Sequence, residues 1–289
     1  MRERRIGPIP VGEIGLGACL MSNAGRPDEG QAIATIHAAL DAGVSLIDTA
    51  DAYAISDEDF GHNELLVRRA LATYGSGAAG VLVATKGGHT RPGGSAWAID
   101  GTPEYLKGAC RESLRRLGTA TIGLYQLHWP DPRVPYSESV GALGELLDEG
   151  LVEMVGISNV DSTLIEIALD ALGGRLASVQ NELSISMRSS EAEVSLCAAR
   201  DIAFLAYQPL GGRGSASNLG ELHPVLRQIA DDHDVSPQQV ALAWLLTKGS
   251  NVIPIPGARR PATIVDSTQA GMVCLTPSEV DLLNRGHPD

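Results

Sequence analysis

Continuous apolar runs alternate with helix-like stretches along the whole chain. The runs read EIGLGAC (13–19), VSLIDTA (44–50), VLVATK (81–86), IGLYQLH (122–128), VEMVGIS (152–158), ASVQNEL (177–183), IAFLAYQ (202–208) and NVIPIPG (251–257). Their apolar character is mostly unbroken rather than alternating, as expected for strands buried on both faces of a parallel sheet. Between them, apolar residues recur at helical spacing, as in Gln31 to Ala42 with Ile33, Ile36 and Leu40 on one face. Thr102 then Pro103 and Glu104 read as a helix start, as do Asp161 before STLIEIALDAL and Ser236-Pro237 before QQVALAWLLTK. Eight strand–helix units predict an α/β chain folded as a (β/α)8 TIM barrel, with a doubly wound open sheet as the competing architecture. RRIGPIPVG (4–12) predicts an N-terminal β-hairpin placed to plug the barrel floor, and residues 277–286 predict an extra helix at the far end. Residues 209–234 form a longer connection, rich in Gly and Ser over 211–220. No linker or low-complexity tract interrupts the pattern, so residues 1–289 are expected to form a single domain.

Composition narrows the function classes. A formal net charge of −13 disfavours nucleic acid and anionic membrane as partners. Four widely spaced cysteines (Cys19, Cys110, Cys197, Cys274) form no CxxC motif, so neither a metal site nor a dithiol is indicated. The opening MRERRIGPIP lacks the apolar stretch of a signal peptide, and no run approaches a membrane span, which predicts a cytoplasmic protein. Oligomeric state leaves no mark. Only three lysines stand against nineteen arginines, which makes Lys86 conspicuous.

The candidate chemistry gathers at strand ends, where barrels of this kind place their sites. Asp48 and Tyr53 close or follow one apolar run, Lys86 a second and His128 a third. Singly, each has a plain structural explanation: a turn-forming Asp, a rim Tyr, a loop Lys, a core His. At successive strand ends the four would meet at one mouth. A phenol is a weak acid, with a pKa of about 10. A neighbouring ammonium favours the phenolate, and a carboxylate keeps that ammonium charged. Tyr53 is therefore the candidate proton donor to a carbonyl oxygen, Lys86 the group that tunes it, Asp48 its counter-charge, and His128 the group that orients the carbonyl.

These motifs, in this order, resemble the aldo-keto reductase superfamily. LIDTADAY, VATKGG and LYQLHWPDP (124–132) carry the likeness, followed by GISN (156–159), QNELS (180–184), YQPLGG (207–212) and IPIPGARRP (253–261). The resemblance spans nearly the whole chain and implies a (β/α)8 barrel that reduces aldehydes or ketones with NADPH. It implies that Ser158, Asn159 and Gln180 hold the nicotinamide carboxamide and that Tyr207 stacks on its ring. No dinucleotide-binding glycine fingerprint is present, since Gly15-Leu16-Gly17 lacks the third glycine. Leu210, Gly212 and Arg213 suit a pyrophosphate, whereas Gly257, Arg259 and Arg260 suit an adenosine 2′-phosphate. One departure stands out: where many members carry an arginine and then a Glu-Asn pair, this chain has Thr263, Asp266 and Ser267. Thr263 and Asp266 remain candidates to reach the adenosine.

For the substrate side, Met21, Trp97 and Trp129 are the candidate walls, with Phe60 a further candidate. Residues 87–101 form a long loop that predicts a lid over the mouth, with Trp97 as its aromatic. The expected partner is a small-molecule carbonyl compound whose identity the sequence does not reveal. Two rival readings stay open: a barrel aldolase that uses Lys86 as Schiff-base nucleophile, and a cofactor-sensing accessory subunit of the same fold.

Overall fold

The structure, a computed structural model, describes residues 1–94, 96–212 and 214–285. Among these, eight parallel strands follow one another around a curled sheet: β1 (Leu16–Gly17), β2 (Leu46–Asp48), β3 (Leu82–Gly87), β4 (Ile122–Leu127), β5 (Val152–Ser158), β6 (Leu176–Glu182), β7 (Ala203–Tyr207) and β8 (Val252–Pro254). Each pairs with the next in chain order. A parallel bridge between Gly17 and Gly257 joins the first strand to the end of the last. Gly15 N and Gly17 N also donate to Pro254 O and Pro256 O at 2.9 and 3.0 Å, so the sheet closes into a (β/α)8 barrel. Gly17 permits the closure, because a Cβ there would lie 2.7 Å from Ile255 O.

Helices cover the outer face: α1 (Glu29–Asp41), α2 (His62–Tyr74), α3 (Pro103–Leu117), α4 (Tyr136–Asp148), α5 (Ser162–Ala171) and α6 (Glu191–Ala199), then Pro224–His233, Pro237–Leu246, Pro261–Thr268 and a last helix, Pro277–Arg285. The expected starts are present. Thr102, Asp161 and Ser236 each accept a hydrogen bond from the backbone N–H three residues on.

Two layers of core follow from the strand pleat. Leu46, Leu82, Leu124, Met154, Leu205 and Ile253 cluster with one another inside the barrel, whereas their neighbours Ile47, Val155, Phe204 and Val252 pack outward with the helices. The N-terminal hairpin, Glu3–Ile6 paired with Ile9–Gly12, sends Ile6 and Val11 into the inner cluster. It plugs the barrel floor and leaves the opposite end, where the strands finish, for chemistry. No helix among the described residues is long and apolar enough to cross a membrane.

Candidate active site

Parallel strands in register bring Asp48, Lys86 and the residues after β4 to the same end of the barrel. Asp48 is the last residue of β2 and pairs with Ala84, two residues before Lys86 on β3. His128 follows β4 and extends its ladder by donating from its backbone N to Gly87 O at 2.9 Å. After β2 the chain turns so that Asp51 N donates to Lys86 O and Gly61 N to Asp51 O, which carries Tyr53 back over the mouth.

Lys86 is fully buried, and its four polar contacts are all to this site. Nζ donates to both Asp48 oxygens (2.8 and 2.7 Å), to Thr49 O (2.9 Å) and to the Tyr53 hydroxyl (3.2 Å). Gln180 Nε2 donates to Asp48 Oδ1 at 2.7 Å, so the carboxylate holds the lysine from one side and β6 from the other. A charge pair this deep holds only if its remaining lone pairs and protons are satisfied, as they are here. The Lys86 nitrogen lies 5.0 Å from the Tyr53 ring centre.

Burial, and after it the Asp48 carboxylate, pushes the Tyr53 phenol well above its usual range. This reverses the expectation that Lys86 would lower it, because Asp48 has already compensated the lysine charge. Tyr53 is therefore a protonated phenol at neutral pH. Burial also pushes the His128 imidazole well below its usual range, helped by His89 and Lys86, so His128 is neutral. Its Nδ1 is buried without a partner, which leaves Nε2 as the nitrogen available to the cavity. The Tyr53 and His128 rings meet edge to face at 5.6 Å between centres.

Asp48, Tyr53 and His128 line a cavity of about 760 Å³ that Ser158, Asn159, Gln180 and Tyr207 also line. These last four are interlinked. Ser158 Oγ donates to Gln180 O (2.7 Å), Asn159 Nδ2 to His128 O (2.9 Å), and the Tyr207 hydroxyl to Asn159 Oδ1 (2.6 Å). Asn159 sits at φ 62, a left-handed conformation that its hydrogen bonds hold in place. With Nε2 committed to Asp48, Gln180 keeps Oε1 as an open acceptor. Leu210, Gly212 and Gly257 line the far side of the same cavity. Arg213 lies outside the described residues. Arg259 is half-buried, leans on Leu20 O and Ala24 O at the rim, and Arg260 is exposed at the start of helix Pro261–Thr268. Neither arginine has a carboxylate partner among the described residues. The β5–β8 side of the cavity thus carries the polar groups of Ser158, Asn159 and Gln180, the Tyr207 ring, and Gly212 and Gly257.

Of the residues expected on the substrate side, two line the cavity and two do not. Trp97 and Trp129 line the cavity and stay partly exposed. Met21 does not: the single turn Cys19–Met21 points Cys19 and Leu20 at the cavity and buries Met21 against Leu16, Ile36 and Leu66. Phe60 packs under the Arg116 guanidinium instead. Asp266 is also otherwise engaged, accepting from Ser236 Oγ and Gln239 Nε2 at the start of the neighbouring helix, and Ser267 is buried.

In the 87–101 segment, His89–Thr90 pairs with Ala98–Ile99, and His89, Arg91 and Trp97 line the cavity. Within it, two cavity residues were missed in the sequence. His89 stacks edge to face on His128 at 4.3 Å and on Trp97 at 5.2 Å, and Arg91 lies over Trp97 at 4.2 Å. Neither sits at a strand end, so the strand-end pattern could not find them. A third missed residue is Asp51. It is fully buried with both carboxylate oxygens unpartnered, and burial with nearby Glu64 pushes its carboxyl well above the usual range.

The family model for the Aldo/keto reductase family matches residues 13–285. The chain belongs to the aldo/keto reductase family. It is 32% identical over 280 residues to an uncharacterized oxidoreductase of Schizosaccharomyces pombe, covering 96% of this chain and 86% of that one. A solved thermostable aldo-keto reductase, Tm1743, in complex with the inhibitor epalrestat superposes with a TM-score of 0.84 at 26% identity, covering 99% of this chain and all of that one. An aldo/keto reductase from Klebsiella pneumoniae, solved with NADP and acetate, gives a TM-score of 0.78 at 27% identity, covering 96% and 91%. Membership in the aldo/keto reductase family makes this chain an oxidoreductase of carbonyl compounds.

Proposed function

We propose that the protein reduces an aldehyde or ketone to the alcohol with NADPH, and that Tyr53 is the general acid. The observation that carries this is the buried contact chain Asp48–Lys86–Tyr53, which ends in a phenol at the cavity wall beside a neutral imidazole. The NADP complex of the Klebsiella pneumoniae relative supports the choice of cofactor. A bound reduced nicotinamide supplies the hydride that goes to the carbonyl carbon.

The chain's own residues handle the oxygen. His128 Nε2–H donates to the carbonyl oxygen and fixes its orientation. As negative charge grows on that oxygen, the Tyr53 hydroxyl passes its proton to it. The raised pKa keeps the proton on Tyr53 until the oxygen of the substrate has become basic enough to take it. Lys86 stabilises the phenolate left behind, and solvent returns the proton. General acid catalysis of this kind is worth about 10²–10⁴-fold.

Ser158, Asn159 and Gln180 would hold the carboxamide, with Tyr207 against the ring and Leu210, Gly212 and Arg213 near the pyrophosphate. Gly257, Arg259 and Arg260 would meet the 2′-phosphate, which favours NADPH over NADH. Titration should therefore give a lower Kd for NADPH than for NADH by about tenfold or more, the worth of one charge-assisted contact. Equal constants would remove the phosphate clamp.

The aldolase reading needs an accessible neutral amine, and Lys86 is buried with its nitrogen held by the Asp48 carboxylate, Thr49 O and the Tyr53 hydroxyl. The test of the function is NADPH oxidation in the presence of aldehydes, ketones and dicarbonyls. Tight NADPH binding with no turnover of any of them would return the accessory-subunit reading. Four free cysteines and the absence of a membrane-crossing helix among the described residues suit the cytoplasm.

A further inference from the structure

The cavity carries one charge that nothing in the proposed reaction uses. Arg91, in the 87–101 segment, is only 7% exposed and lines the cavity. Its Nη2 donates to Ala54 O (3.0 Å) and Ile55 O (2.7 Å), the two residues directly after Tyr53. Its Nε is buried with no partner. The face of the guanidinium rests on Trp97. No carboxylate among the described residues lies within ion-pairing distance. The nearest acidic influence is Asp57, which already accepts from Gly94 N.

The other charged group on the cavity wall, Asp48, is cancelled by Lys86 and further held by Gln180. His89 and His128 are pushed below the usual imidazole range, mainly by burial, and are neutral. Arg91 is thus the uncompensated charge facing the substrate half of the cavity. Burying a guanidinium with an unpaired N–H is costly unless something completes it.

We infer that Arg91 is a specificity-determining residue that binds the carboxylate of an anionic carbonyl substrate, whose reactive carbonyl meets Tyr53 and His128. This rests on the carbonyl-reductase reading above. Nη2 is already committed to the Ala54 and Ile55 carbonyls and Nε is buried, so Nη1 is the donor left open. So few open donors match one singly charged carboxylate better than a phosphate, which recruits several. The anchor on Ala54 and Ile55 ties the cation to the segment that carries Tyr53, and Trp97 holds it flat. Trp97 and Trp129 then flank the apolar body of the substrate.

The test compares para-carboxybenzaldehyde with its neutral methyl ester, methyl para-formylbenzoate, as substrates of the wild type, Arg91→Met and Arg91→Lys. The wild type should favour the acid. In Arg91→Met, which keeps an apolar stem against Trp97, the ratio of kcat/KM for acid over ester should fall about 10–100-fold, mainly through KM of the acid. Arg91→Lys should recover part of the ratio, and added salt should shrink it in the wild type. A wild type that does not favour the acid, or an Arg91→Met loss equal for both aldehydes, would overturn the assignment and leave Arg91 an anchor of the 87–101 segment. Failure of the wild type to reduce either aldehyde would count against the reductase reading instead. Benzoate binding, read by tryptophan quenching, then still tests Arg91, since a wild type that binds no tighter than Arg91→Met contradicts it.

Discussion

The phenol proposed as proton donor, Tyr53, is held in surroundings that raise its pKa. Burial and Asp48 both oppose ionisation of Tyr53, and Lys86 offsets them only as negative charge appears on the hydroxyl oxygen. The sign has a consequence for pH dependence. The active form is the protonated phenol, and a raised pKa extends that form upward in pH. The kcat/KM for reduction should therefore show no alkaline limb assigned to Tyr53 below about pH 10. A Tyr53-dependent fall nearer neutrality would contradict this electrostatic balance. At this scale Asp48, Tyr53, Lys86 and His128 stood out as a set: each alone has a plain structural explanation, but successive parallel strand ends bring all four to one mouth. Met21 was misread because a loop's nearness to the mouth does not say which way a side chain turns. His89 and Arg91 were missed because their places at the cavity depend on ring contacts with Trp97 and His128 across the 87–101 segment, and one strand's pattern carries no trace of those.

Elements, rather than single residues, fix where the site residues point. The β5–β6 register sets Ser158 beside Gln180, and the turn after β5 is held by Asn181, which donates to Val160 O and accepts from Val160 N. Helix α5 begins straight after that turn, with Asp161 Oδ1 accepting from Leu164 N at 2.9 Å. Asp161→Ala should cost about 1 kcal/mol of stability through the lost cap. Denaturant unfolding measures it, and an unchanged midpoint would show that the cap contributes nothing here. Strand and helix positions were readable because buried parallel strands and capped helices leave strong local patterns, although the runs 13–19, 44–50 and 251–257 extend well beyond the strands Leu16–Gly17, Leu46–Asp48 and Val252–Pro254 they contain. The pairing of His89–Thr90 with Ala98–Ile99 left no mark in the sequence, where 87–101 read as a long loop over the mouth. These two-residue strands are too short for a periodic signal, and their pairing depends on the barrel beneath them.

For the molecule as a whole, a closed barrel plugged at one end leaves one mouth for chemistry. Ile6 of the hairpin is fully buried among Leu46, Leu82 and Leu205. Ile6→Ala should destabilise the fold by about 2–5 kcal/mol, because the rigid barrel interior has little room to collapse around the cavity. The folded fraction should keep its reductase activity, since the plug lies at the opposite end from Tyr53. A thermal melt with a parallel assay would check both, and a stable but inactive variant would show that the floor and the mouth are coupled. The reaction class rests on the quartet and on family membership, and the substrate rests on the 87–101 segment. The most direct measurement is NADPH oxidation with an aromatic aldehyde, comparing the wild type with Tyr53→Phe while NADPH affinity is titrated in both. Steady turnover by the wild type, a loss of about 10²–10⁴-fold in Tyr53→Phe and near-equal NADPH binding are expected. Retained turnover in Tyr53→Phe would contradict the account.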